Sequence, residues 1–531
     1  MTMPSKKNVK KMRLGGVAVM ALLAASCAST DVELLDAQLP DAPENWSNAS
    51  DAPTAPIGDW VAAFDDQVLR SLIDEAMIRN NDFRAAAANL DQARANSKIA
   101  RAALFPTLNA NFNASRNAIV TDPTTAATAG GGGTDTSGLS AGELEDRFGV
   151  DNNGDGRLDG LDLDGDGIAE VDTPDRRFYI NNYSLGAQIQ WELDVWGRLS
   201  DETQAAYKDA SAAYADLAAA HLSLSARVSQ AWFALIEARL QRELAERDTE
   251  ARESNLRVTE RRYERGVASS LDVRLSRSAL GTSQANLALR QRLELEASRA
   301  LEVLLGRYPA AELEAAESLP ELTPLAGAGA PGDLLARRPD LVAAEARMDS
   351  AGLRARAARK QMLPQITLTS RINTSGPVFA DLVDPERLAG NIIGGLLQPI
   401  FQGGRIRANS KRARAVAQTA LFNYAQTVLT AYQEAENALA AEDLLALRED
   451  ALRMAYEEAA AAEELTERRY ASGAATIFNL LDAQTRRISA ESQYIQAQQQ
   501  RVSNRVQVYL AIGGDYMTEA TLAALQTNTG E

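Results

Sequence analysis

Apolar residues recur along this chain with two distinct periods. Val68, Leu72, Ile73, Ala76 and Met77 fall at helical spacing, and a second helix is expected from about Asp82 to Leu104, ahead of Pro106. Directly after that proline the period drops to two. Leu108, Ala110, Phe112 and Ala114 alternate with Asn109, Asn111, Asn113 and Ser115, the mark of a strand with one apolar and one polar face. Tyr183, Leu185, Ala187, Ile189, Trp191 and Leu193 alternate likewise with Ser184, Gly186, Gln188, Gln190 and Glu192, and Ile366, Leu368 and Ile372 with Thr367, Thr369, Arg371 and Asn373. A fourth strand, around Leu388 to Ile400, is interrupted by glycines. Long helical stretches follow, Leu199 to Arg265 and Ile406 to Ser472; about 67 residues at roughly 1.5 Å each make a rod of about 100 Å. Leu217, His221, Leu224, Val228, Ala231 and Leu235 step by four and three, the spacing of a coiled-coil seam. Shorter helices return over about Leu271 to Leu305 and Phe478 to Leu510.

The halves of the chain share this plan. Arg262-Tyr263-Glu264-Arg265-Gly266 lies 207 residues before Arg469-Tyr470-Ala471-Ser472-Gly473, and Gly197-Arg198-Leu199 lies 207 before Gly404-Arg405-Ile406. The seam carries over as Tyr424, Val428, Ala431, Ala435, Ala438 and Glu442. Asn81-Asp82 and Phe105-Pro106 instead precede Pro339-Asp340 and Leu363-Pro364 by 258, so the first half carries 51 extra residues before Gly197. So long a period argues for duplication of a half-domain rather than a solenoid. The expected fold is mainly α with a small β part: long coiled-coil helices, four strands and an internal two-fold repeat. The expected segments are a leader over 1–26, a tether over 27–58, a first repeat over 59–310 with an insertion at about 117–177, a connector over 311–338, a second repeat over 339–516 and a tail over 517–531.

Scarce aromatics and abundant Ala, Leu, Glu, Arg and Gln favour long helices. A net charge of −17 argues against nucleic acid as a partner. The one cysteine, Cys27, rules out an intramolecular disulfide. It follows a basic leader (Lys6 to Arg13), a short apolar run from Leu14 to Ala25 and small residues, a secretory signal too short to span a membrane once mature. Leu23-Ala24-Ala25-Ser26-Cys27 resembles the bacterial lipobox, which implies acylation of Cys27, and Ala28 resembles outer-membrane sorting.

Strands of about ten residues suit a tilted barrel crossing an outer membrane. Four cannot close, because a spanning sheet must leave no edge in lipid and a barrel needs about eight strands. The chain is therefore expected to oligomerise to 8, 12 or 16 strands, with Asn109, Asn111 and Asn113 facing water; a soluble β-layer capping the helices is the alternative.

Asp59-Trp60-Val61-Ala62-Ala63-Phe64-Asp65-Asp66, Leu305-Gly306-Arg307-Tyr308-Pro309, Leu334-Leu335-Ala336-Arg337-Arg338-Pro339-Asp340, Pro399-Ile400-Phe401-Gln402-Gly403-Gly404-Arg405 and Ile512-Gly513-Gly514 together resemble the signatures of the outer-membrane efflux lipoproteins related to TolC and OprM. The resemblance covers nearly everything from Trp60 to Tyr516. It implies a homotrimer with a 12-stranded barrel in the outer membrane and an α-helical tunnel through the periplasm. It also implies a periplasmic adaptor and an inner-membrane pump, often of the resistance-nodulation-division class, and no cofactor. In such channels acidic rings narrow the periplasmic entrance. Asp482 matches the inner ring, and Asn479 stands where a second aspartate is common. Tyr470 and Asp272 match partners of the links that hold the gate, while Ala475 replaces a common arginine.

The insertion is not typical of that family. Asp151, Asn153, Asp155, Asp159 and Asp162, then Asp162, Asp164 and Asp166, meet the spacing of calcium loops, with Gly156 and Gly167 at the bends; the usual bidentate Glu is missing. Calcium is the expected ion, against a merely solvated acidic loop. Gly138-Leu139-Ser140-Ala141-Gly142 fits a nucleophile elbow but lies in a Gly/Thr-rich loop, and His221, the only histidine, occupies an apolar seam position, so no enzyme is expected. Two rivals to drug or toxin efflux are a type I protein secretion duct and a calcium-binding surface or adhesion lipoprotein.

Overall fold

The computed structural model describes residues 43, 46–47, 60–121, 149–150, 160–161, 176–325 and 330–514. The chain divides into two compact units, each drawn from both halves of the sequence. One, comprising Met1–Ala102, Gly197–Met362 and Phe401–Glu531, holds the helices, and the other, Ala103–Trp196 and Leu363–Ile400, holds the sheets.

The helical unit contains α1 (Gln67–Arg79), α2 (Asn81–Ala102), α3 (Arg198–Glu264), α4 (Ser270–Leu304), α5 (Leu334–Arg337), α6 (Pro339–Lys360), α7 (Arg405–Ala471) and α8 (Ile477–Ala511). α3 and α7 are each 67 residues long, α4 and α8 each 35, and α2 and α6 each 22. The repeated Tyr-x-x-Gly ends both rods. Gly266 and Gly473 take left-handed φ of 74° and 79°, and Val267 N donates to Arg262 O, as Ala474 N does to Arg469 O, at 2.8 Å. Only glycine adopts that conformation cheaply, and the backward bond satisfies a carbonyl left open by the helix end.

The seam residues Leu217, Leu224, Val228 and Leu235 are buried, with Trp232, Phe233 and Ile236 beside them. The Phe64 ring packs at a tilt on Phe233 at 5.2 Å, and Trp60 on Tyr509 at 5.7 Å. Trp232 Nε1 donates to Asp66 Oδ2 at 2.7 Å, while Asp66 Oδ1 caps α1 by accepting from Leu69 N at 2.9 Å. One carboxylate thus starts a helix and locks it onto α3. His221 sits half-buried with its ring 6.2 Å from that of Phe83. In the second half Val428, Ala431, Ala435 and Ala438 are buried as the seam requires, but Glu442 is buried too. Arg505 Nε donates to Glu442 Oε1 and Asn504 Nδ2 to Oε2, each at 3.2 Å, and Arg505 Nη1 donates to Thr323 O at 2.7 Å. A charged group thus holds an apolar seam position because a cation on the returning helix meets it.

In the sheet unit β1 (Thr107–Thr121), β4 (Arg176–Leu193), β5 (Gln365–Gly376) and β6 (Ala389–Leu397) form one antiparallel sheet in that order; β2 (Gly149–Val150) and β3 (Gly160–Leu161) form a separate short ladder. β1 and β4 run further than the alternation suggests, into the stretch expected as insertion. Ladder pairing carries them on from Ser115↔Asn182 to Thr121↔Arg176, beyond the point where β5 leaves β4 at Tyr183↔Gly376. β6 stops at Leu397, short of Ile400, ahead of Pro399.

Candidate functional site: a two-faced sheet and a hairpin tip

Opposed residues in an antiparallel ladder share a face. Leu108, Ala110, Phe112 and Ala114 lie opposite Ile189, Ala187, Leu185 and Tyr183. These in turn meet Ser370, Ile372, Thr374 and Gly376, with Ile392 and Gly390 on the far side. The other face carries Asn109, Asn111, Asn113, Gln188, Gln190, Thr367, Thr369, Arg371 and Asn373, and Arg371 Nη2 donates to Gln188 Oε1 at 3.0 Å. Leu108, Phe112, Leu185, Ile189, Ile372, Ile392 and Leu396 are all exposed. Seven large apolar side chains exposed together on one face mark a contact surface rather than ordinary scattered exposure. Aromatic side chains bound the apolar face: Trp191 Nε1 donates to Leu104 O at 3.0 Å and Trp196 Nε1 to Pro364 O at 2.7 Å near one end, while Phe379 packs on Phe112 and Tyr183 at 6.2 and 6.1 Å towards the other.

The second candidate region is where α3 turns into α4 and α7 into α8. Both returning helices start with a capping box, in which a hydroxyl and the residue three places on exchange bonds with each other's backbone. Ser269 N donates to Asp272 Oδ2 at 2.8 Å, and Thr476 N donates to Asn479 Oδ1 at 3.2 Å. Asp272 and Asn479 are therefore equivalent residues with the same local task, which Ser269-x-x-Asp272 and Thr476-x-x-Asn479 spell out in sequence. Asp482 is exposed one turn further on, and its Oδ2 accepts from Arg486 Nε at 2.8 Å. That bond raises the Arg486 pKa above its ordinary value.

Tyr470 is buried and joins the two hairpins through a residue that sequence reasoning passed over. The Arg262 guanidinium lies 4.5 Å from the Tyr470 ring centroid and donates to Tyr470 O at 3.3 Å and Ala471 O at 3.2 Å, while the Tyr470 hydroxyl lies 3.4 Å from Thr259 Oγ1. A cation from α3 thus closes the last carbonyls of α7. Away from the tip the contacts between α3 and α8 stay polar. Asn255 meets Gln484 at 3.0 Å, Arg252, paired with Asp248 of its own helix at 2.9 Å, meets Thr485 at 3.3 Å, Arg247 meets Glu491 at 2.7 Å, and Gln241 exchanges bonds with Ser492 at 2.8 and 3.0 Å. A cavity of about 610 Å³ opens beside them, lined by Asp248, Arg252, Arg290 and Thr485 among others. Burial pushes the nearby Glu237 carboxyl above its usual range. Neutral hydrogen bonds of this kind are worth about 1 kcal/mol each and those to charged groups about 1.5–3 kcal/mol.

Cys27, the loop Gly138 to Gly142 and the calcium-loop residues Asp151, Asn153, Asp155, Asp159, Asp162, Asp164 and Asp166 lie outside the described residues. Among the described residues no cluster suited to a metal occurs, and no helix is long and apolar enough to cross a membrane.

The chain matches the family model of the outer membrane efflux proteins over residues 72–146, 161–307 and 330–514. It is 29% identical to the pyoverdine export outer membrane protein OpmQ of Pseudomonas aeruginosa over 507 residues, 94% of this chain and 96% of OpmQ. It is 28% identical to the toluene efflux pump outer membrane protein TtgC of Pseudomonas putida, over 96% of this chain and 97% of TtgC. Its fold matches the open state of the Neisseria gonorrhoeae outer membrane channel MtrE with a TM-score of 0.70 and 26% identity, over 91% of this chain and 98% of MtrE. With its family model matched across well over half its length, the chain belongs to the outer membrane efflux protein family.

Proposed function

We propose that three copies of the chain close their sheets into a 12-stranded barrel across the outer membrane, while the paired rods bundle into a tunnel on the periplasmic side. The observation that carries this reading is the sheet itself: one exposed apolar face, one polar face, and an open edge on β1 and on β6. Lipid takes the first face, lumen water the second, and neighbouring subunits the edges. Trp191 and Tyr183 stand about 27 Å apart along β4, roughly 21 Å at a typical tilt, which suits an apolar band of about 25 Å between aromatic girdles. The equal lengths of α3 and α7, and of α4 and α8, support descent from a duplicated half. Native mass spectrometry of the detergent-extracted protein is expected to give a trimer; a monomer or dimer would refute the 12-stranded wall.

The duct is a passive efflux channel with no catalytic step and no cofactor requirement, served by a periplasmic adaptor and an inner-membrane pump of the resistance-nodulation-division class. Relatives named for pyoverdine export and toluene efflux favour small organic cargo over secreted protein. An acyl anchor at Cys27 and a calcium-binding insertion extend the proposal on sequence spacing alone.

The hairpin tips form the gate. Three copies of Asp482 make an acidic ring, since like carboxylates around a narrow opening attract cations and resist entry of anions. Asn479, bound into its capping box, leaves the second ring neutral. Arg262 and Tyr470 hold each α7–α8 hairpin against α3. Single-channel recording reads both parts: Asp482→Ala is expected to raise conductance and weaken cation preference, and Arg262→Ala to raise conductance several-fold by releasing the tip. Unchanged currents in both variants would remove the gate from this end.

A further inference from the structure

The chain is acidic overall, yet positive charge collects where helices adjoin strands in sequence. The twelve residues at the strand-side end of each of α2, α3, α6 and α7 together hold fourteen Lys or Arg and five Asp or Glu. On α6 and α3 much of this is neutralised internally: Lys360 pairs with Asp201 at 2.6 Å, Arg356 also meets Asp201, and Arg354 pairs with Asp209. α7 differs. Arg405, Arg407, Lys411, Arg412 and Arg414 crowd its first three turns, and no Asp or Glu stands between Glu386 and Glu434. All five are exposed, and among the described residues none has a carboxylate partner. A helix N-terminus is the wrong place for cations, because the macrodipole is positive there. Such a cluster calls for an anion from outside the chain.

Arg407, Lys411 and Arg414 step by four and three, so they form one stripe. Tyr432 lies 18 residues beyond Arg414 and 25 beyond Arg407, and Glu436 lies 25 beyond Lys411, which are five and seven whole turns at 3.6 residues per turn. The stripe thus shares a side of α7 with Tyr432 and Glu436. Those two residues receive the tether: Trp46 packs on Tyr432 at 6.4 Å and Ser47 N donates to Glu436 Oε1 at 3.0 Å. A segment leading from an acyl anchor runs over the outside of a channel, so the stripe faces outwards too. Just before it in sequence come Ile392 and Leu396 on the apolar face of β6, then Ile400 and Phe401, all exposed. Apolar residues, then an aromatic, then unpaired cations, is the order that lipid tails, interface and headgroups impose.

We propose that Arg407, Lys411 and Arg414 bind the phosphate of acidic phospholipids in the periplasm-facing leaflet of the outer membrane, fixing the depth at which the channel sits. The inference rests on the outer-membrane reading of the sheet. Its test uses the full-length oligomer reconstituted in vesicles of equal phosphatidylglycerol and phosphatidylcholine, extracted gently, with retained lipid weighed by native mass spectrometry and conductance recorded on the same preparation. Wild type is expected to retain phosphatidylglycerol about tenfold over phosphatidylcholine, Arg407→Gln/Lys411→Gln/Arg414→Gln to fall to near parity with unchanged conductance, and Arg407→Lys/Arg414→Lys to keep the preference. Millimolar inorganic phosphate should not displace the lipid. Equal retention by wild type and the glutamine variant would overturn the proposal, as would displacement by phosphate. A shift in ion selectivity of the glutamine variant with lipid retention intact would place the stripe in the lumen and overturn it as well. Lipid preference in a preparation without conductance would sink the channel reading alone.

Discussion

Ile372→Arg is expected to remove the protein from the outer membrane, whereas Asn373→Arg, one residue along the same strand, should leave insertion intact. Ile372 lies midway along β5, opposite Ala187 and Gly390 on the apolar face, and its side chain is exposed. An arginine at the midplane of a barrel's lipid face costs about 2–4 kcal/mol. A trimer carries the change three times, so the penalty reaches roughly 6–12 kcal/mol. That is comparable with the whole stability of an ordinary domain. Asn373 points to the polar face, where Arg371 already sits against Gln188. Density-gradient separation of membranes reads the outcome directly. Equal amounts of the two variants in the outer membrane would mean that the alternation does not separate lipid from water.

The second large effect concerns the ion pair within the helical unit. Arg505→Ala is expected to destabilise that unit by about 3–5 kcal/mol, because it strands Glu442 in a buried site. Removing both charges should be far milder. Leu235 occupies the equivalent seam position of the first half and is buried there without difficulty, so Glu442→Leu with Arg505→Met should recover most of the loss. What the double variant still lacks is the bond from Arg505 to Thr323 O, which ties α8 to the segment leading to α5. Thermal unfolding followed by helical circular dichroism compares the three proteins. If the double variant proved no more stable than Arg505→Ala, the seam would need the charge itself rather than its compensation.

Much of this architecture was legible because it depends on period. Eight residues of alternating apolar and polar character placed β1, and a glycine after Arg-Tyr-x-x placed the end of each rod, since chain stereochemistry alone requires a left-handed residue there. Boundaries set by partners were not legible. β1 continues to Thr121 only because β4 extends to pair with it, long after its own alternation has failed at Arg116. Glu442 looks like a lapse in the seam until Arg505, 63 residues away, is brought against it. At the tip a local role went unread. Asp272 and Asn479 drew notice as gate residues through family resemblance, although each closes a capping box that the hydroxyl three residues earlier announces. Arg262 was legible only as the first residue of the repeated Arg-Tyr-x-x-Gly; nothing local marks it as the residue that covers Tyr470.

Planar bilayers offer the most direct test of whether these sheets join into a closed, water-filled wall. The purified wild-type oligomer should insert to give uniform current steps, cation-preferring and larger when Arg262 is replaced by alanine. Folded protein, recovered from the outer membrane yet leaving the bilayer as silent as lipid alone, would contradict it.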